Sequence, residues 1–146
     1  PGNNISNFDS LTIASLGNAI DFGDASFAAR AVSACSNTTR GVWMGGYFNS
    51  PRLGGSTQKQ VTSTTIASGG LASDFGNLMK GQSHSRSASS HTRAVDFGGN
   101  VTPAQTKEIE FIEFASGGNA QHFGELKENN TSMGALSDCH GGLGGF

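Results

Sequence analysis

The sequence predicts an all-β fold built from three copies of one unit of about fifty residues, each supplying about four short strands. Three observations lead there. The first is composition: 146 residues with 22 glycines, 35% hydrophobic and only 14% charged, a chain of small and polar residues. Ten phenylalanines and a net charge of −2 set it apart from disordered chains, which lack aromatics and carry strong net charge. The second is internal repetition. The third is the strand-type patterning of each copy, in which no segment sustains a helical period with caps.

The repetition lies in two blocks. Leu11-Thr-Ile-Ala-Ser-Leu-Gly-Asn-Ala-Ile-Asp-Phe-Gly-Asp24 aligns with Thr64-Thr-Ile-Ala-Ser-Gly-Gly-Leu-Ala-Ser-Asp-Phe-Gly-Asn77 and with Ile112-Glu-Phe-Ala-Ser-Gly-Gly-Asn-Ala-Gln-His-Phe-Gly-Glu125. A second block follows each, ending in Gly45-Gly46, Gly98-Gly99 and, in degenerate form, Gly144-Gly145. Phe22, Phe75 and Phe123 lie 53 and 48 residues apart, and from each to its double glycine is 23, 23 and 21 residues. Two blocks in register three times define units of roughly 5–47, 57–100 and 106–146 within a single repeat domain, 1–146.

Taken in chain order, unit one opens with a strand from Ile5 to Ala14. Unit two is the clearest. Val61 to Ala67 is rich in threonine and β-branched residues, Ser68 to Ser73 is turn-like, and Asp74-Phe75 is a short strand. After a polar link, Ser83 to Ser90 and Arg93 to Phe97 form a pair closed by Gly98-Gly99. Ile109 to Ala115 opens unit three with high β propensity.

Four strands at a period near fifty is the pattern of propeller blades. The units resemble kelch repeats: Gly45-Gly46, Gly98-Gly99 and Gly144-Gly145 match that family's double glycine, and Phe22, Phe75 and Phe123 stand where it usually has tryptophan. The fuller wording, with Asn18, Asp21, Phe22, Gly23, Asp24, Ala29, Arg30, Thr39, Arg40 and Gly41 in unit one, is similar to repeat proteins of marine tailed phages, cyanophages among them. That resemblance implies a virion structural or tail-fibre-like protein. In the kelch order the chain starts at the third strand of one blade and stops after the second strand of another. Three blade equivalents are too few for a ring, which typically needs about four to eight. The exposed half blades are therefore expected to pair with a second chain, most simply as a six-bladed homodimer, or with other virion proteins.

The residues predict no enzyme, no cofactor and no metal. His84, His91, His122 and His140 lack ligand spacing, and no nucleophile elbow or placed carboxylate pair appears. Asp21 and Asp24 could offer oxygens to calcium but read better as turn residues. Arg30, Arg40 and Arg93, with Trp43 and Tyr47, are the candidate binding residues, suited to glycans or carboxylates. For Arg30, Arg40, Arg86 and Arg93 the structural reading comes first, pairing between blades with Asp21, Asp74 or main-chain carbonyls, and the phenylalanines and Trp43 likewise belong first to the core between blades. Scarce lysine and arginine argue against a nucleic-acid partner, and no apolar run is long enough for a membrane span. Cys35 and Cys139 allow one disulfide at most. Asn4, Asn37, Asn100, Asn129 and Asn130 stand in Asn-x-Ser/Thr triplets, acceptors only in a eukaryotic secreted protein. The opening Pro1-Gly2-Asn3-Asn4 reads as a processed start. The expected role is a virion appendage that binds a host surface through the loops Phe48 to Thr57 and Lys127 to Ser132. The alternatives are a secreted multivalent lectin and a kelch-type interaction scaffold.

Overall fold

The computed structural model describes residues 5–50 and 54–137. Gly144, Gly145, Cys139 and His140 lie outside the described residues, and with them the third double glycine and any pairing of Cys35 with Cys139. Within the described residues the chain is all-β: β1 (Ile5–Ser10), β2 (Ile20–Ala29), β3 (Ser33–Ser36), β4 (Arg40–Met44), β5 (Tyr47–Ser50), β6 (Gly54–Thr65), β7 (Ser73–Gln82), β8 (Arg86–Ser89), β9 (Arg93–Phe97), β10 (Asn100–Val101), β11 (Ala104–Gln105), β12 (Glu108–Glu113) and β13 (Gln121–Glu125).

Two antiparallel sheets have the same plan. Sheet one runs β3-β4-β6-β7, with β5 paired to the start of β6; sheet two runs β8-β9-β12-β13, with β10 and β11 as a small hairpin in the place of β5 and the start of β6. β1 and β2 form a two-stranded sheet matching β6 and β7, since Asp9↔Asp21 and Thr62↔Asp74 are the same register one repeat apart. Sheet one thus takes its first two strands from unit one and its last two from unit two.

The strand lengths differ from the sequence reading in places. β7 continues from Asp74-Phe75 through Gln82, because β6 is itself long enough to pair that far. Ser83 to Ser90 is strand only from Arg86 to Ser89, because the backbone turns left-handed at His84 (φ 57°) to enter the next sheet. Ala31 and Ser132, the equivalent residues, share that conformation (φ 55° each). Phe48 to Thr57 is no open loop where described: Tyr47↔Thr57 and Phe48↔Ser56 pair in a hairpin.

The Asp-Phe-Gly motif is a β-bulge. In each unit the ladder slips by one residue there: Phe8 faces Gly23 while Asp9 faces Asp21, Val61 faces Gly76 while Thr62 faces Asp74, and Ile109 faces Gly124 while Glu110 faces His122. Phe22, Phe75 and Phe123 are the extra residues, left out of the ladder. Their carbonyls are free to bond sideways. Phe22 O accepts from Gly70 N (2.8 Å) and Asp24 O from Ala72 N (2.7 Å); Phe75 O accepts from Gly118 N and Asn77 O from Ala120 N (both 2.8 Å). The bulge of one repeat therefore seats the Ser-Gly-Gly turn of the next. Gly23 (φ 143°) and Gly76 (φ 140°) are required by that approach, since a Cβ on either would land on the carbonyl of Gly70 or Gly118. Asp21 and Asp74 complete the bulge by accepting the Gly23 and Gly76 N–H groups (3.1 and 3.2 Å), which satisfies the turn reading of Asp21.

The core lies between sheets one and two, where Val42, Met44, Val61, Leu78, Ala94, Ile112, Phe114 and Ala120 are buried. Val42, Met44 and Val61 face sheet two. Their equivalents on the far face of sheet two, Val95, Phe97 and Ile109, are only half-buried.

Candidate functional site

Where the chain leaves one sheet for the next, it makes a short antiparallel crossing. Arg30 N donates to Tyr47 O (3.1 Å) and Tyr47 N to Arg30 O (2.7 Å); one repeat later Ser83 N donates to Asn100 O (3.0 Å) and Asn100 N to Ser83 O (2.7 Å). Gly46 and Gly99 let the strands come this close: a Cβ on Gly46 would press on Val32 (2.8 Å), and one on Gly99 on Ser83 O (2.9 Å). The two crossings sit side by side because His84 N donates to Ala31 O (3.0 Å). Between them lies a cleft of about 310 Å³ lined by Arg30, Tyr47, Ser83, His84, Asn100 and Thr102.

The Arg30 guanidinium lies 5.0 Å from the Tyr47 ring centre, a cation–π contact that orients both side chains. His84 Nδ1 is 3.2 Å from Ser83 Oγ. A guanidinium, a phenol, an imidazole, a carboxamide and hydroxyls around one small cleft can hydrogen-bond a polyol or a carboxylate and offer an aromatic face to a sugar ring.

The other sequence candidates lie elsewhere. Arg40 and Arg93, at the starts of β4 and β9, stay within their own sheets: Arg40 sits 4.9 Å from the Phe75 ring, with Nη1 3.5 Å from Ser63 Oγ, while Arg93 sits 4.7 Å from Phe111 and donates from Nε to Glu113 Oε1 (2.7 Å). Neither reaches Asp21 or Asp74, whose carboxylates serve the bulges. Trp43 stacks on Phe8, ring centres 4.0 Å apart and 8° from parallel, beside an apolar cleft of about 340 Å³ between β1-β2 and sheet one. Phe22 and Phe75 pack on the glycine turns of the following repeat, and Phe123 meets Phe111 edge to face at 6.0 Å.

A third cavity, of about 570 Å³, lies along β3, β8 and the chain after Ser132. Cys35, Ala88 and Leu136 occupy equivalent positions and all line it, as do Ser36, Ser89 and Ser137. Ser132 N donates to His84 O (2.9 Å), continuing the bond from His84 to Ala31, and Ser89 Oγ donates to Ser36 O (2.7 Å). Burial pushes the Cys35 thiol up to about 12, leaving it a weak nucleophile.

Sequence reasoning missed a buried polar cluster between sheets one and two. Asp96 and Glu110 face each other across β9 and β12, both about 1% exposed. Gln82 Nε2, from the end of β7, donates to Asp96 Oδ2 and to Glu110 Oε1 (3.1 Å), and Met79 N donates to Glu110 Oε2 (2.7 Å). Burial, helped by the Glu110 charge, raises Asp96 to about 7. The Ser33 and Ser85 hydroxyls flank this carboxyl and pull the other way, although neither closes a well-formed hydrogen bond to Oδ1. Glu110 is also raised, by burial first and Glu108 next, against the Met79 N–H and Lys80. A signal for this cluster stood in the repeat: Gln82, Asp96 and Glu110 occupy the positions of Ala29, Trp43 and Thr62. Among the described residues no group of three His, Cys, Asp or Glu side chains is placed to hold a metal ion, and no helix is long and apolar enough to cross a membrane. No protein-family model matches this chain, and no curated protein matches it.

Proposed function

We propose that this chain is a non-enzymatic, kelch-like propeller component of a virion appendage, in which stacked four-stranded blades display polar clefts to a host surface. One observation carries the reading. Equivalent residues of three repeats meet around a single cavity along the first strands, joined by the bonds Ala31 O–His84 N and His84 O–Ser132 N. The two complete sheets also lie alongside each other at β3 and β8, and at β7 they are joined through the turn before β13 rather than strand to strand. Four-stranded sheets stacked in this way from their first strands stand about an axis as blades do in a ring. The virion setting rests on the resemblance of the repeat to marine tailed-phage proteins.

Host recognition falls to the Arg30–Tyr47 cleft. Its mixture of a cation, an aromatic face and neutral hydrogen-bonding groups suits a glycan bearing hydroxyl or carboxylate groups, and several copies of the chain in one assembly would let weak single sites act together. The same cleft favours a second reading, a secreted multivalent lectin. An array of immobilised bacterial and animal glycans tests both. Binding to bacterial surface sugars that is lost in Arg30→Ala and Tyr47→Ala supports the appendage, and selective binding to animal glycans supports the lectin. Glycan binding untouched by either substitution would remove the cleft from both.

A further inference from the structure

The open faces at the two ends of the stack match each other, and we infer that a second copy of this chain docks its β1-β2 sheet and the turn between those strands onto the far face of sheet two. The inference rests on the blade reading above and specifies its contact.

The joint between sheets one and two gives the template. There the end of β12 and the turn after it bring Ile112 and Phe114 against sheet one, where they are 2% and 3% exposed, with Ala120 at 9%. The backbone bonds Gly118 N–Phe75 O and Ala120 N–Asn77 O fix the turn on the bulge, and the face that receives it carries Val42, Met44 and Val61.

Both halves of this joint recur unpartnered among the described residues. Leu11 and Ile13 hold the positions of Ile112 and Phe114, yet are 64% and 94% exposed. Gly17 and Ala19 hold those of Gly118 and Ala120. On the opposite end, Val95, Phe97 and Ile109 hold the positions of Val42, Met44 and Val61, and Phe123 that of Phe75, now 55% exposed. Gly124 repeats Gly76, where a Cβ would collide with the incoming turn, but nothing lies within 4 Å of Gly124 or of Gly17. Neither has the positive φ of its equivalents, Gly118 (95°) and Gly76 (140°), so the backbone at both ends takes up the joint conformation only on docking.

An apolar knob and an apolar seat on opposite ends of one molecule form a head-to-tail contact, which closes into a ring when the angle between sheets allows it. The new backbone bonds would run from Gly17 N to the partner's Phe123 O and from Ala19 N to the partner's Glu125 O. One difference shapes the joint. Leu16 stands where Gly69 and Gly117 stand, and a Cβ on Gly69 would meet Phe22 O at 2.5 Å, so the turn must tilt and lay Leu16, itself fully exposed, toward the partner's Phe123 ring.

Sedimentation equilibrium over a wide concentration range, with Ile13→Asp and Gly124→Val, tests the contact. Both substitutions fall where the isolated chain has open space, so its circular dichroism and melting should not change. The wild type is expected to associate, each variant to lose at least tenfold in affinity, and a mixture of the two variants to form dimers through the one intact pair of ends but no closed ring. A wild type that stays monomeric throughout, or variants that associate as it does, would overturn the contact. Small-angle scattering of the Ile13→Asp monomer reads the arrangement of the sheets separately, so the blade reading can fail or stand on its own.

Discussion

The two joints between successive sheets share one backbone, and the second also holds the apolar core, but they differ sharply at one set of three equivalent positions. The first, between β1-β2 and sheet one, is aromatic and apolar: Trp43 stacks on Phe8, with Ala29 and Thr62 nearby. The second places Asp96, Glu110 and Gln82 at the positions of Trp43, Thr62 and Ala29 and buries two carboxyls opposite each other. Yet the bulge-to-turn bonds differ by no more than 0.1 Å between the joints, and each joint has its paired crossing. Docking is therefore written into the main chain, and the side chains decide how strongly the joint holds and at what pH.

The largest effect should come from breaking what the joints have in common. Gly76→Val drives a Cβ into the Gly118 carbonyl and strains a left-handed residue, and is expected to cost about 3 kcal/mol or leave the chain unfolded; Gly124→Val, with open space around it, should cost almost nothing. Urea denaturation of the pair separates a shared backbone joint from a general intolerance of valine in the bulge.

The apolar joint alone is addressed by Trp43→Ala, which loses a stacked but only half-buried ring. About 2–3 kcal/mol is expected, below the 3–5 kcal/mol of a fully buried aromatic, and the loss should be the same at pH 5 and pH 8.

The acidic joint should respond to pH instead. Asp96 is raised from the ordinary carboxylate range to about 7 in the folded chain. Between its unfolded value near 3.8 and about 7 the native state holds a proton that the unfolded state has released, so stability falls as pH rises through that window and levels off above it. From pH 5 to pH 8 the loss amounts to about 2–3 kcal/mol, and Glu110 acts in the same direction. Thermal melts of wild type and Asp96→Asn should show the slope in the first and most of it gone in the second. A flat wild-type profile would mean that the carboxyls are not buried as a pair.

The smallest effect is expected at Arg93. Its bond to Glu113 joins two side chains that are 47% and 37% exposed, so Arg93→Ala should change stability by about 0.5 kcal/mol, and less in high salt.

Much of the fold was legible before any coordinates. The Asp-Phe-Gly and double-glycine positions repeat because each meets a local demand of the backbone, a bulge or a close crossing, and local demands leave a mark at a fixed spacing. The site was less legible. Arg30 and Tyr47 were singled out, but so were Arg40, Arg93 and Trp43, which lie in their own sheets or in the apolar joint. Nothing in the spacing tells an arginine that crosses between sheets from one that begins a strand. The Asp96–Glu110 pair left its trace only as a departure, an acid where the other complete unit has tryptophan, and a departure is read as surface until its neighbours are known.

By itself, then, the sequence determined the all-β character and the repeat, with the glycine positions that the bulges use, because strand propensity, alternation and glycine placement act within a few residues. The division of each sheet between two units agrees with the phase expected from the repeat, whereas tertiary structure decided that Arg30 meets Tyr47 beside His84 and Asn100, and that two carboxyls share one amide out of water. Those outcomes depend on which surfaces lie opposite one another after some fifty residues of intervening chain, and pairing across that distance is settled by packing and desolvation, not by any local preference.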